Sequence, residues 1–296
     1  MISTGMGGII LLKLIYKRVK YELCEGFDVN NKFEFYYNNK LFDVYSKVYI
    51  TDLHLNKKNL DIINNDNKLK HKLILFDHNE SVTEFNSYDF VNIIIKDKKG
   101  YCCSTSLLYE YLLNNNKIKR TNALDIFCEA TRIFDTGIWN VDKDDIARDL
   151  SLLFDAIGPD DYIEKMYNKL KVERDFSFYN NELKLIDLKR KATDNEVVSY
   201  IKKIRLKKIY GHKAGIIYIS YEFRNEIAQY LRKNKLYDID FIVLVAVDNY
   251  SISIRNINPN VNVRLIAEKI GGKGHFGAAG CNIDENNLDE ITKILS

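Results

Sequence analysis

The chain has 296 residues, 46% of them hydrophobic and 29% charged, which is the composition of an ordinary globular protein long enough for two domains. Its formal net charge of +3 excludes a general coat for duplex DNA and still allows one basic pocket for a small acidic ligand. The five cysteines lack CxxC spacing and no apolar run reaches the roughly 18 residues of a membrane span, so we predict a cytoplasmic protein without a disulfide framework, a zinc knuckle or a membrane-spanning helix.

The first half of the chain predicts short buried strands separated by helices. Its predicted elements are a helix over residues 7–20 and strands over residues 33–37, 47–52 and 72–77. The last two runs end on Asp52 and Asp77. This alternation is typical of a parallel α/β sheet, whose ligands bind at the carboxyl ends of the strands. Asp52 and Asp77 are therefore expected at a ligand-binding edge.

A helical region follows and ends in a charged stretch. Helices are predicted over residues 107–113 and 123–132, and a helical pattern covers residues 145–207. Residues 184–208 are rich in Lys, Arg, Asp and Glu. We interpret this stretch as a solvated helical connector, with a nucleic-acid-binding arm as the alternative. A domain boundary is predicted between residues 190 and 205.

The remaining residues predict a second α/β domain. Its elements are strands over residues 214–220, 241–247 and 250–255 and helices over residues 223–233 and 263–270. The Asp-Asn pair at 248–249 predicts a two-residue hairpin turn. In the strand that follows, we expect Ser251 and Ser253 to face outward and Ile252 and Ile254 to face the core.

The stretch from Gly271 to Gly280 reads GGKGHFGAAG. Its glycines allow the backbone to approach a ligand closely, and the imidazole of His275 can reach the same ligand. Such a stretch can grip a phosphate or a nucleotide. Taken alone, it is explained more simply as a turn between a helix and a strand.

Three acidic residues end or follow separate elements: Asp52, Asp77 and Asp135, with His78 next to the second. Carboxylates with an imidazole are a ligand set for Mn²⁺ or Mg²⁺ rather than for structural zinc. Two such ions close together polarise a phosphate and activate a water molecule. As isolated residues, the same aspartates are ordinary turn formers at strand ends.

Five motifs in chain order extend these observations over nearly the whole chain: ITDLH, FDHNES, CCSTSLLYEYL, FDTGIW and GGKGHFGAAG. In this order they resemble the DHH/DHHA1 phosphoesterase family, and within it the nanoRNase B-type oligoribonuclease branch. The resemblance implies an α/β protein whose N-terminal DHH domain has a parallel sheet and carries two Mn²⁺ ions, with Mg²⁺ as the alternative. A helical connector would join this domain to a smaller α/β DHHA1 domain that grips the substrate. The corresponding ranges are 1–150, 151–205 and 206–296.

The resemblance also implies roles for individual residues. The catalytic centre would contain Asp52, Asp77, His78 and Asp135, of which Asp52, His78 and Asp135 would bind metal. The substrate-binding residues would be Asn79, Arg255, Gly272, Gly274 and His275. An arginine and an imidazole beside glycine N–H groups form a sound phosphate clamp on physical grounds as well.

Two departures from the family pattern fall on the catalytic apparatus. The segment STGMGG, residues 3–8, stands where the family has His-x-Asp-x-Asp-Gly, so that Ser3, Gly5 and Gly7 replace three metal-binding side chains. Asn79 replaces the second histidine of the signature. Its amide can still hydrogen-bond a phosphate oxygen but cannot change protonation near neutral pH.

We predict a Mn²⁺-dependent phosphodiesterase that hydrolyses short oligoribonucleotides or related small nucleotides, with its first metal-binding motif emptied. The alternative is a catalytically weak or inactive member of the family that binds a nucleotide or short single-stranded nucleic acid through the DHHA1 domain. Both hypotheses imply a short single-stranded RNA or a small nucleotide as the ligand, and the sequence is compatible with a homodimer.

Overall fold

The computed structural model describes residues 4–24, 26–136, 145–274 and 276–296. The chain divides into two compact units, Met1–Ile186 and Asp187–Ser296. Within the described ranges, no helix has both the length and the apolar surface that crossing a bilayer requires.

The first unit contains a parallel sheet, a two-stranded ribbon and a set of helices. The helices are α1 (Thr4–Ile15), α2 (Val29–Asn38), α3 (Lys57–Asn65), α4 (Asn67–Lys70), α5 (Ser104–Asn114), α6 (Asn122–Asp135), α7 (Asp145–Ile157), α8 (Pro159–Val172) and α9 (Asn180–Ile201), the last of which continues into the second unit. The strands are β1 (Val48–Thr51), β2 (Leu73–Asp77), β3 (Val91–Ile93), β4 (Lys96–Asp97) and β5 (Gly100–Tyr101). Short 3-10 helices cover Leu41–Val44 and Glu80–Ser87.

The parallel sheet has the order β1-β2-β3, and β2 has apolar side chains buried on both of its faces. Leu73 and Leu75 pack into one core cluster with Leu60 of α3, whereas Phe76 packs into a second cluster with Leu108 of α5. Because the strand is covered on both sides, its sequence is a continuous apolar run rather than an alternating one. The predicted α/β fold with an N-terminal parallel sheet is confirmed.

Residues 33–37, predicted as a strand, are helical and lie in α2. Phe33 is buried and its ring stacks on Tyr37 one turn later, with ring centroids 6.1 Å apart, whereas Phe35 is 60% exposed. Contact between positions i and i+4 is a helical feature. The strand prediction is wrong because aromatic residues at every second position resemble strand alternation, although one of them faces solvent.

A buried ion pair ties α8 to α9 within the first unit. The Nζ atom of Lys169 lies 3.0 Å from Oε2 of Glu182, and the two side chains are 1% and 0% exposed. Lys169 also donates to the carbonyl oxygen of Ser177 at 2.6 Å. Removal of one member of such a pair leaves an uncompensated buried charge.

We expect Glu182→Ala to lower the free energy of unfolding by about 3 kcal/mol, because the buried Lys169 would be left with the more distant carboxylate of Glu173, 3.9 Å away. Urea denaturation followed by circular dichroism measures this change. The control is Asp187→Ala, which removes one member of the exposed Lys191–Asp187 pair and should cost at most about 1 kcal/mol. Equal losses for the two variants would contradict the role assigned to Glu182.

The second unit is built on a six-stranded mixed sheet of order β10-β11-β9-β8-β7-β6. Its strands are β6 (Arg205–Ile209), β7 (His212–Ile219), β8 (Phe241–Ala246), β9 (Ser251–Asn256), β10 (Lys273–Gly274) and β11 (Ala278–Asn282), and its helices are α10 (Arg224–Asn234), α11 (Arg264–Glu268) and α12 (Leu288–Leu295). Short 3-10 helices cover Tyr221–Phe223 and Val247–Asn249.

The strand β9 is buried on both faces. Ser251 and Ser253 are 5% and 8% exposed, and Ile252 and Ile254 are each 1% exposed. The expectation that the serines face outward is wrong because β9 lies between β8 and β11 in the interior of the sheet. The predicted antiparallel pairing of β8 with β9 is present, but residues 247–250 connect them through a 3-10 turn instead of a two-residue turn.

The charged stretch over residues 184–208 is not uniformly solvated. Ile186, Val197 and Ile201 of α9 are buried, and the stretch ends in β6. Along the chain, the boundary between the two compact units falls within α9, between Ile186 and Asp187. The division into functional domains at 1–150, 151–205 and 206–296 stays a prediction.

Candidate functional site

The register of the parallel sheet sets two of the predicted acidic residues side by side. Thr51 pairs with Phe76, so the next residues, Asp52 and Asp77, stand at the same carboxyl edge. The backbone of Asp52 has a φ of 66°, a left-handed conformation that aspartate adopts more readily than most residues. One ligand atom each from Asp52, Asp77 and His78 lies within 4.8 Å of the others.

The fourth predicted residue, Asp135, reaches the same point from the end of α6. Its Oδ2 atom lies 3.1 Å from Nε2 of His78, while Nδ1 of His78 lies 3.6 Å from Oδ1 of Asp52. Oδ2 of Asp135 is buried and makes no hydrogen bond of good geometry with the described residues. The structure therefore brings Asp52, Asp77, His78 and Asp135 together.

The electrostatics of this group favour a cation. Burial lowers the pKa of His78, but the contact with Asp135 and the negative charges of Asp135, Asp52 and Asp77 outweigh burial and raise the pKa to about 9. Oγ of Ser104, in the first turn of α5, lies 3.5 Å from Nδ1 of His78. Three carboxylates around one imidazole thus hold positive charge at the sheet edge.

The donor set fits a divalent metal ion. Carboxylate oxygens with one imidazole suit Mn²⁺ or Mg²⁺, and the buried oxygen of Asp135 without a good hydrogen bond is an atom that a metal would satisfy. In the part of the chain that the structure describes, ligands for a metal ion are present on the side of the site formed by the sheet edge and α6, but not on the side of α1. Gly5 and Gly7, in the first turns of α1, have no side-chain ligands, and Ser3 lies outside the described residues.

The packing of α1 leaves no room for a larger residue at position 7. A Cβ atom added to Gly7 would lie 2.2 Å from Oγ1 of Thr105 in α5, far inside any van der Waals contact. One added to Gly8 would lie 3.0 Å from Oγ1 of Thr51. A carboxylate at position 7 therefore requires a movement or a change of Thr105.

Sequence reasoning missed His54. Its Nδ1 atom lies 3.2 Å from Oδ2 of Asp77, so it belongs to the surroundings of the acidic group. The signal was available, because His54 follows Asp52 by two residues within the motif ITDLH. Asn79, by contrast, was predicted and lies half-buried in the loop after β2, where its carbonyl oxygen accepts from the N–H of Val82 at 3.3 Å.

In the second unit, Arg255 on β9 has a guanidinium group whose hydrogen-bond partners among the described residues are neutral acceptors. Nη1 lies 3.2 Å from the carbonyl oxygen of Ile254 and 3.4 Å from that of Ala279, and Nη2 donates to Oδ1 of Asn225 at 3.3 Å. Burial and the positive charges of Arg224 and Arg232 lower the pKa of Arg255 to about 10. The charge of Arg255 is thus poorly compensated.

Two arginines that the sequence did not single out approach Arg255 from α10. Arg224 donates to the carbonyl oxygen of Tyr221 at 2.8 Å and lies 3.7 Å from the centroid of its ring. Arg232 bonds both the backbone and the side-chain oxygen of Asn256, each at 2.8 Å. Such a concentration of guanidinium groups attracts anions such as phosphate.

The glycines of the segment 271–280 have a packing role in the structure. A Cβ atom added to Gly272 would lie 2.6 Å from the carbonyl oxygen of Gly280, and one added to Gly274 would lie 2.4 Å from Cα of Ala279. The two glycines therefore allow the close approach of β10 to β11. Their predicted contact with substrate stays a prediction, and His275 lies outside the described residues.

Comparison with known proteins agrees with this architecture. Residues 191–296 match the DHHA1 domain. The chain is also 28% identical over 299 residues to the oligoribonuclease NrnB of Bacillus subtilis (strain 168), with 98% of this chain and 72% of the relative covered. The chain thus resembles the DHH/DHHA1 phosphoesterase family. Its relationship to the nanoRNase B-type branch, predicted from the five motifs, is confirmed.

Solved structures share the fold of this chain. A pGpG-specific phosphodiesterase from Vibrio cholerae superposes with a TM-score of 0.53 at 14% identity, over 99% of this chain and 94% of that one. RecJ from Thermus thermophilus in complex with Mn²⁺ superposes with a TM-score of 0.50 at 13% identity, over 97% of this chain and 49% of that one. At these identities the likeness concerns the fold alone.

Proposed function

We propose that this DHH/DHHA1 protein is a metal-dependent phosphodiesterase that hydrolyses short oligoribonucleotides or related small nucleotides. The observation that carries the proposal is the convergence of Asp52, Asp77, His78 and Asp135 at the carboxyl edge of the parallel sheet. The similarity to an oligoribonuclease over 98% of the chain supports this class of substrate. We place the reaction in the cytoplasm and retain a homodimer as the proposed assembly.

The residues of the first unit have different roles in binding a cation. Asp52, His78 and Asp135 would hold Mn²⁺, or Mg²⁺ in its place, and Asp77 would add negative charge beside them. Such an ion polarises the phosphate and activates a water molecule. Asn79 can donate a hydrogen bond to a phosphate oxygen without exchanging a proton. Because Gly5 and Gly7 bring no carboxylates, we expect a site for one ion and a slow reaction.

The residues of the second unit would bind the phosphate backbone of the ligand. Arg255 is the main candidate, because its guanidinium group is held between neutral acceptors and can make charge-assisted hydrogen bonds to a phosphate. Gly272, Gly274 and His275 are proposed to act beside it. This part of the proposal does not depend on the metal site.

We expect the protein to cleave labelled RNAs of two to five nucleotides in the presence of Mn²⁺, and Asp52→Asn to abolish cleavage. The loss follows because an amide in place of the carboxylate removes the charge that holds the ion. Gel or chromatographic analysis of the products measures the rate, with the exposed Asp187→Asn as the matched control. Equal cleavage by Asp52→Asn, or cleavage that persists in EDTA, would exclude a metal-dependent reaction at this site.

A second candidate function is binding of the same ligands without hydrolysis. The contact between Gly7 and Thr105 favours it, because the space of a metal-binding side chain is filled by another residue. The two functions differ in one assay. If the RNAs bind the protein in the presence of Mn²⁺ and are recovered intact, the chain is a binding protein on an enzyme scaffold.

A further inference from the structure

His54 approaches the metal site from the loop after β1. The left-handed backbone of Asp52 ends the strand, and two residues later Nδ1 of His54 lies 3.2 Å from Oδ2 of Asp77. Among the described residues, this is the one polar contact of the His54 ring. The ring is 43% exposed, whereas the side chain of Asp77 is 4% exposed.

The carboxylate of Asp77 is held at both oxygens. Oδ1 accepts from the backbone N–H of His78 at 2.7 Å, and Oδ2 faces His54. Since an ionised carboxylate only accepts hydrogen bonds, the proton of a neutral His54 ring is assigned to Nδ1. These two hydrogen bonds thus fix the rotation of the Asp77 carboxylate about the Cβ–Cγ bond.

His54 itself stands outside the compact group of ligand atoms. Within the described ranges, that group consists of Asp52, Asp77 and His78. A residue that hydrogen-bonds a carboxylate of a metal site without touching the metal orients that carboxylate and tunes its basicity. Loss of the His54 contact is expected to change stability little, because Oδ1 of Asp77 keeps its hydrogen bond to the backbone N–H of His78.

We propose that His54 is a positioning residue of the metal site. Its Nδ1–H holds Oδ2 of Asp77, and the carboxylate keeps the orientation at which Asp77 converges with Asp52 and His78. This inference rests on the proposed function, because the orientation of Asp77 matters to function only if the group binds a divalent ion.

The test measures Mn²⁺ affinity and thermal stability in parallel, by isothermal titration calorimetry and by thermal denaturation of the ligand-free protein. We expect His54→Ala to raise the Kd for Mn²⁺ at least about tenfold with little change in Tm. His54→Asn should restore most of the affinity, because its amide nitrogen can occupy the position of Nδ1 and donate to Asp77. The control is His71→Ala, an exposed histidine after α4 in the same unit.

Each outcome bears on a different claim. Unchanged Mn²⁺ affinity in His54→Ala would overturn the inference, and so would an affinity loss that His54→Asn does not restore. A fall in Tm as marked as the loss of affinity would make the role of His54 structural and would also overturn it. Failure of the unchanged protein to bind Mn²⁺ would overturn the metal site of the proposed function, and the inference with it.

Discussion

Restoration of the emptied first motif is expected to increase the rate of RNA cleavage by about 10²–10³-fold, provided that Thr105 is changed at the same time. The restored residues are introduced by Ser3→His, Gly5→Asp, Gly7→Asp and Asn79→His. Gly5→Asp and Gly7→Asp would add carboxylates on the side of the site where α1 now has glycines. The magnitude is that of a preorganised charge that stabilises a transition state.

The change of Thr105 follows from the packing of α1 against α5. A Cβ atom at position 7 would lie 2.2 Å from Oγ1 and 3.0 Å from Cβ of Thr105, so Thr105→Gly clears the space without any shift of α5. Glycine near the start of α5 costs up to about 1 kcal/mol in helix propensity, and the new side chain at position 7 would take up part of the space of the buried Thr105 side chain. We therefore expect the four substitutions without Thr105→Gly to destabilise the first unit, and the set of five to fold.

The design separates a folding failure from a chemical one. Circular dichroism and Tm establish that the set of five is folded, and Thr105→Gly alone provides the matched background for its activity. Cleavage by Thr105→Gly at the rate of the unchanged protein is expected. The variant with all five substitutions could be folded and still cleave no faster than Thr105→Gly alone. This result would contradict the hypothesis of a disabled phosphodiesterase and favour the protein that binds without hydrolysis.

The sequence predicted the carboxyl edge of the parallel sheet because that edge depends on local patterns. Asp52 and Asp77 each follow a continuous apolar run, and the pairing of Thr51 with Phe76 then sets them side by side. The convergence of Asp135 on His78 depends on the tertiary placement of α6, which local patterns do not encode. For Asp135 the family resemblance supplied the information that periodicity could not.

The residues that the sequence did not reveal are those whose role depends on long-range contacts. His54 is a loop histidine until the turn at Asp52 brings it to Asp77. Arg224 and Arg232 are ordinary charged residues of a helix until α10 packs beside β9 and their charges reach Arg255. The strand predicted at 33–37 failed for a related reason, since burial of Phe33 against Tyr37 selects the helix.

The candidate functional residues affect stability in opposite directions in the two units. In the first unit, Thr105 fills the space that a metal-binding side chain at position 7 would need. The close packing of Gly7 against Thr105 favours stability over catalysis. In the second unit, Arg255 is half-buried near two like charges, and its hydrogen-bond partners within the described ranges are neutral, which costs stability. A protein carries such uncompensated charge at a functional site when a ligand supplies the missing partner.

Arg255→Met is therefore expected to weaken the binding of short RNA by about 10- to 100-fold and to stabilise the ligand-free protein by about 1 kcal/mol. Binding weakens because the charge-assisted hydrogen bonds to phosphate are lost. The ligand-free protein becomes more stable because methionine fills a similar volume without placing a half-buried charge beside Arg224 and Arg232. Fluorescence anisotropy with labelled RNA and chemical denaturation measure the two effects.

The opposite signs of these effects distinguish a binding residue from a structural one. Arg205→Met, an exposed arginine of β6 in the same unit, is the control and should change neither quantity appreciably. If Arg255 were a structural residue, its substitution would destabilise the protein, because the hydrogen bonds to Ile254, Ala279 and Asn225 would be lost. A destabilised Arg255→Met with wild-type affinity for RNA would therefore assign Arg255 to the core of the sheet, and the phosphate would have to be bound elsewhere.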